Sequence, residues 1–76
     1  MTPTEAVAHY GESLFGIDWP RHAARAFDVN VRTLQRIRIA NELGGDQDSS
    51  IGVLFAMAER LDAVQAEVRE ILEQRR

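Results

Sequence analysis

Hydrophobic side chains recur every three or four residues along most of this chain, which is the period of an amphipathic helix. The first such stretch starts after Thr2 or Thr4, either of which can cap a helix, and it ends near Gly16. The side chains expected on its inner face are Val7, Tyr10, Leu14 and Phe15.

The next stretch predicts two helices in close succession. Asp18 is a suitable N-cap for a short helix that ends at Phe27, and Asn30 caps a third helix that ends before the glycine pair at 44–45. The indole of Trp19 is expected in the core. The other expected inner residues are Ala23, Ala24 and Phe27 in the second helix, and Leu34, Ile37 and either Ala40 or Leu43 in the third.

Residues 50–74 predict the longest helix, because they contain no proline and one glycine. Asp48 or Ser49 in the preceding polar loop can cap it. Its first turns carry an apolar face that is expected to pack on the first and third helices, formed by Ile51, Leu54, Phe55 and Ala58. A coiled-coil-like seam with spacings of 3-4-3-4-3 is formed by Leu54, Met57, Leu61, Val64, Val68 and Ile71. With no comparable strand pattern, the sequence predicts one all-α domain over residues 1–76.

Composition narrows the class of protein. A hydrophobic fraction of 45% with 28% charged residues is typical of a soluble globular domain, and 76 residues allow one core. The absence of cysteine excludes disulfides and thiolate metal sites, and it favours a cytoplasmic location. Because neither an export signal nor an apolar run of about 20 residues is visible, we expect no membrane association.

The charges are unevenly distributed along the chain. The net charge is -3, but residues 19–40 contain five arginines against the single acid Asp28, and both flanks are acidic. All 9 basic residues are arginines, the side chain best suited to bidentate contacts with phosphate and guanine. A phosphate backbone would respond to this local excess, because charges beyond about 10 Å are screened.

The basic segment has the pattern of a helix-turn-helix over residues 19–41, in which small inner residues let two helices cross closely over a short turn. It resembles the helix-turn-helix of phage repressors and other small bacterial regulators. The matching positions are Ala24, Asp28, Val29, Asn30, Val31, Arg32, Thr33, Leu34, Gln35, Arg36 and Ile37. The family mostly has glycine at the place of Asp28, where the backbone is left-handed, and aspartate tolerates that conformation well.

The resemblance implies that residues 30–38 form the recognition helix and enter the major groove of DNA. The implied base contacts come from Val31, Arg32, Gln35 and Arg36, and the implied phosphate contacts from Arg21 and His22. Asn30, Thr33 and Arg38 would position the helix, with Arg25 at the rim.

These features together predict a homodimeric autorepressor that binds double-stranded DNA at an inverted repeat, with half-sites about 34 Å apart. In size the chain resembles Cro-like proteins, antitoxins and the autorepressors that accompany anti-CRISPR genes. The residues expected at the dimer interface are Leu61, Val64, Val68, Ile71 and Leu72. The residues that flank this seam leave the direction of helix pairing open.

An adaptor that binds a partner protein through the long helix is the alternative function, and the acidic loop 46–48 favours it. No catalysis is expected, because the sequence contains no nucleophile with a base and no phosphate-binding loop. We also expect no cofactor, no metal ion and no small-molecule effector.

Overall fold

The computed structural model describes residues 1–75, and four helices account for most of them. They are α1 (Pro3–Phe15), α2 (Trp19–Phe27), α3 (Val31–Glu42) and α4 (Ser49–Glu73). No strand occurs within the described residues, so the predicted all-α class with a long C-terminal helix is confirmed.

The N-terminus of α1 is closed by a capping box. The backbone N–H of Glu5 donates to Thr2 Oγ1 over 3.1 Å, and the backbone N–H of Thr2 donates to Glu5 Oε1 over 3.5 Å. Two N–H groups that lack helical partners are thereby satisfied. Thr2, and not Thr4, is therefore the cap.

Thr4 instead forms a buried hydrogen-bond cluster between α1 and the start of α4. Its Oγ1 lies 2.8 Å from Ser50 Oγ, accepts the backbone N–H of Gln47 over 2.9 Å, and donates to the carboxylate of Asp46. Since the Thr4 hydroxyl has one proton, Ser50 is the donor in their contact. Asp48 occupies the N-cap position of α4, as predicted, but its side chain forms no cap bond, and the loop is held by this cluster instead.

The core contains residues from all four helices: Val7, Ala8, Trp19, Ala23, Phe27, Leu34, Ile37, Val53 and Met57. Trp19 is 3% exposed, as predicted, and it lies against Gly11, where a Cβ atom would come within 2.5 Å of the indole. Leu34 and Ile37 are fully buried in α3, followed by Ala40, whereas Leu43 is exposed. Helices α1 and α2 can approach this closely because residue 11 has no side chain.

The predicted inner face of α1 was partly wrong. Tyr10 and Leu14 are half exposed, and Phe15 is only partly buried. The buried stripe is made of small residues at helical spacing: Thr4, Val7, Ala8 and Gly11. Small side chains allow the other helices to approach α1 closely, so this stripe faces the core and the larger side chains turn towards solvent.

The predicted inner face of α4 was wrong. Ser50, Val53 and Met57 are buried, whereas Ile51, Phe55 and Ala58 are exposed and Leu54 is half buried. Each residue along a helix turns by about 100°. The hydrogen bond between Ser50 and Thr4 therefore fixes a rotation of α4 that directs residues 51, 55 and 58 away from the core.

Helix α4 extends well beyond the packed domain to which its first turns belong. All described residues from Ala58 onward are exposed, and the molecule measures 49 × 20 × 20 Å. None of the helices in residues 1–75 combines the length and the apolarity needed to cross a membrane.

Candidate nucleic-acid interface

The turn between α2 and α3 has the backbone conformation that the sequence predicted. Asp28 adopts φ 53° and ψ 50°, in the left-handed region, and its N–H donates to the carbonyl of Ala24. The N–H of Val29 donates to the same carbonyl over 3.0 Å. These bonds close α2 and set the direction in which the chain enters α3.

Asn30 caps α3, as predicted. Its Oδ1 accepts the backbone N–H of Arg32 over 2.8 Å, and its own backbone is extended. The first turn of α3 is therefore fixed by a side-chain cap at one residue and by the left-handed turn two residues earlier.

The exposed side of α3 carries the predicted base-contacting residues. Arg32, Gln35 and Arg36 are all exposed, while Leu34 and Ile37 on the opposite side are fully buried. Within residues 1–75 neither arginine lies within ion-pair distance of an acid. The guanidinium groups are thus free to contact an external anion or acceptor.

The remaining predicted residues of α3 are less accessible. Val31 and Thr33 are half buried at the first turn, while Asn30 is exposed. Arg38 is also half buried and lines a shallow depression together with Glu12, Trp19 and Glu42. It therefore lies on a different side of α3 from Arg32 and Arg36.

Arg21 and His22, the predicted phosphate contacts, are exposed in the first turn of α2 beside an acid. Asp18 Oδ2 lies 2.7 Å from Arg21 Nη2 and 4.0 Å from His22 Nε2, and it forms no capping bond to α2, contrary to the prediction. The His22 ring also stacks on Phe15, with ring centroids 6.2 Å apart. A phosphate at this place would have to compete with Asp18 for Arg21.

Arg25, the predicted rim residue, is exposed in the last turn of α2. It lines an open groove of about 580 Å³ between α2 and α4, with Asp28, Glu59 and Arg60 among the other lining residues. Both signs of charge are present in this groove, so it does not extend the purely basic surface of α3.

Sequence reasoning missed Ile39, which is 53% exposed on α3. Its position, three residues after Arg36 and seven after Arg32, places it on the same side as both arginines. The spacing was visible in the sequence and could have indicated it, since Ile39 lies outside the predicted inner stripe of Leu34, Ile37 and Ala40 or Leu43. The second residue missed was Asp18 as a partner of Arg21, which the i,i+3 spacing could have indicated.

The described residues contain no group of three or more His, Cys, Asp or Glu side chains that could hold a metal ion. The helix pair of residues 19–42 presents hydrogen-bond donors and positive charge on one side of a fixed helix. Comparison with protein-family models, with curated proteins and with solved structures finds no match to this chain. The class of protein is therefore argued from its own residues.

Proposed function

We propose that this protein is a sequence-specific DNA-binding regulator that inserts the N-terminal half of α3 into the major groove and acts as a homodimer. The observation that carries the proposal is the exposed set Arg32, Gln35 and Arg36 on a helix whose other side is completely buried. A helix with that anchoring presents its polar side chains in a fixed orientation, as base recognition requires.

The side chains fit the acceptor and donor pattern of the major groove. Arginine pairs bidentately with O6 and N7 of guanine, and glutamine pairs with N6 and N7 of adenine. Val31 at the first turn and Ile39 further along are suited to contact thymine methyl groups. We assign Arg21 and His22 to phosphates, where Arg21 exchanges its contact with Asp18 for one with DNA.

The long helix and the symmetry of the operators that such regulators recognise support the proposed homodimer. Leu61, Val64, Val68, Ile71 and Leu72 are exposed apolar side chains on one segment of α4. Two copies joined there would bind an inverted repeat with half-sites about 34 Å apart. We further propose that occupancy follows protein concentration, as in an autorepressor.

The experiment is selection of bound duplexes from a random pool, followed by affinity measurements on the selected site. Arg32→Ala with Arg36→Ala is expected to weaken binding at least about 30-fold, because each bidentate base contact contributes about 1–3 kcal/mol. Arg60→Ala with Arg75→Ala is the matched control. It removes the same charge from exposed positions on α4 and its C-terminal end, and is expected to change affinity far less.

Recovery of an inverted repeat would support the dimeric regulator. The proposal fails if the pool yields no preferred sequence at low salt, or if the α3 double variant binds as tightly as the control. Circular dichroism of each variant shows whether a loss of binding is a loss of folding.

A protein-interaction adaptor is the second candidate, and the exposed apolar surface of α4 is the observation that favours it. Such an adaptor would need the long helix and would not need the arginines of α3. Failure of the DNA selection together with a monomeric protein in solution would favour the adaptor.

A further inference from the structure

The rotation of α4 creates an apolar surface that the rest of the chain does not cover. This patch consists of the exposed residues Ile51, Phe55 and Ala58 and the half-buried Leu54, and it forms a shallow depression with almost no polar atoms. Phe55 is 68% exposed and Ile51 53%. An aromatic and a branched aliphatic side chain side by side in water are typical of an interaction surface.

The patch belongs to a ladder of side chains, apolar except for Gln65, that runs along the whole exposed length of α4. The ladder has spacings of 4-3-4-3-4 and consists of Leu54, Ala58, Leu61, Gln65, Val68 and Leu72. The seam expected from the sequence passes through Met57, which is 5% exposed and therefore unavailable to a partner along the first turns. The ladder avoids Met57 and is at least partly accessible at every position from the patch to the distal end.

We propose that a second copy of this chain covers the patch with the distal end of its own α4, the two helices lying antiparallel. If the pair is centred on Ala63, Leu54 lies opposite the partner's Leu72 and Ala58 opposite the partner's Val68. The contact is about 27 Å long. Each copy thereby covers the patch of the other, which satisfies the two-fold symmetry of a closed dimer.

The two sides of the ladder differ, and this difference determines the direction. Val64 and Ile71 lie along one side, and Phe55, Asp62 and Arg69 along the other. In a parallel pair unlike sides face each other, so Val64 would lie beside the partner's Arg69. In an antiparallel pair like sides meet: Val64 lies beside the partner's Val64, and Phe55 beside the partner's Arg69, an arrangement that suits a cation–π contact. Asp62 then lies beside the partner's Asp62, a like-charge contact at exposed positions that opposes the pairing weakly.

Ala58, the small residue of the ladder, gives a second reason for an antiparallel pair. A parallel pair would place Ala58 against the partner's Ala58 and leave a gap between the helices. The antiparallel pair places Ala58 against a valine, so a small side chain meets a larger one. This inference rests on the dimer of the proposed function and on no property of DNA.

The test uses single cysteines in the full-length chain, which has none of its own. Ala58→Cys and Val68→Cys are both small changes at exposed positions. After oxidation of a 1:1 mixture we expect the covalent dimer to contain one chain of each kind. Each variant alone is expected to stay uncrosslinked, because identical positions lie about 15 Å apart along an antiparallel pair. The Cα atoms of a disulfide are only roughly 4.4–6.8 Å apart. Ala66→Cys, on the outer side of the helix, is the matched control and should not crosslink.

The other outcomes overturn the proposal in distinguishable ways. Efficient crosslinking of each single variant by itself would show a parallel pair and leave the dimeric regulator standing. If the wild-type protein is dimeric but the cysteine variants crosslink at none of these positions, the interface lies elsewhere. Sedimentation of the wild-type protein as a monomer at roughly tens of micromolar, where even a weak dimer should form, would exclude the dimer. A different protein would then be the occupant of the patch.

Discussion

The two halves of α4 have a similar spacing of apolar side chains, but the first half buries them and the second half exposes them. Val53 and Met57 are buried, whereas Leu61, Val64 and Val68, which continue the same side of the helix, are 37–48% exposed. The first half lies against α1 and α2, and the second half extends past both. Periodicity thus shows which side of a helix can be buried, and the neighbouring elements decide where along the helix burial takes place.

The difference has an energetic consequence. Each fully buried side chain of this kind stabilises the fold by about 1.5–3 kcal/mol, and the distal segment of residues 58–75 gains little of that within one chain. An isolated helix of that length is marginal in water. We therefore expect the distal segment to fray in a monomer and to become firmly helical on dimerisation, which amide hydrogen exchange at several protein concentrations can measure.

The largest expected effect is the difference between replacing a leucine in the packed domain and replacing a leucine in the distal segment. Leu34→Ala removes a fully buried side chain and is expected to lower the free energy of unfolding by about 3 kcal/mol. Leu72→Ala, at a 60% exposed position, should leave the unfolding of the monomer unchanged. Urea denaturation at low protein concentration measures both. Equal losses in the two variants would contradict the division into a packed domain and an uncovered segment.

A pair of glycine substitutions sharpens the same comparison. Gly11→Ala would push a methyl group to within 2.5 Å of the Trp19 ring and is expected to cost about 2 kcal/mol. Gly52→Ala meets no atom within 4 Å on α4 and is expected to stabilise the helix by about 0.5–1 kcal/mol. Thermal unfolding of the two variants should shift in opposite directions, and a stabilising Gly11→Ala would show that α1 and α2 do not cross as closely as described.

A charge in the distal segment separates folding from association. Val68→Asp is expected to weaken the dimer at least tenfold, or about 1.4 kcal/mol, while leaving the domain folded. The melting temperature of the wild type should rise with protein concentration and that of the variant should not. Ala66→Asp, which adds the same charge at an exposed position on the outer side of the helix, serves as the control. If Val68→Asp dimerises as well as the wild type, α4 is not the interface.

A small destabilisation is expected at the cap of α3, which links the fold to the candidate site. Asn30→Ala removes the bond to the Arg32 backbone and is expected to cost about 1 kcal/mol. Asn30→Asp keeps an acceptor and should restore most of that stability. Chemical denaturation distinguishes the two variants. A loss shared equally by both would mean that the side-chain bond contributes nothing.

Much of the candidate site could be predicted because its determinants are local. The left-handed conformation at Asp28, the cap at Asn30 and the inner residues Leu34 and Ile37 each follow from residues within a few positions along the chain. Two features of the site were missed, because local spacing indicates them without deciding them. The pairing of Asp18 with Arg21 competes with helix capping for the same carboxylate, and the exposure of Ile39 depends on which side of α3 the other helices cover.

The sequence by itself determined four helices, their ends to within one or two residues, and a basic exposed side on α3. These follow from periodicity, caps and turn residues, which act over one or two helical turns. Only the tertiary structure decided the rotation of α4, because that helix has apolar side chains on more than one side and periodicity cannot choose among them. The choice was made by small residues on α1 and by the hydrogen bond between Thr4 and Ser50, which join positions 46 residues apart.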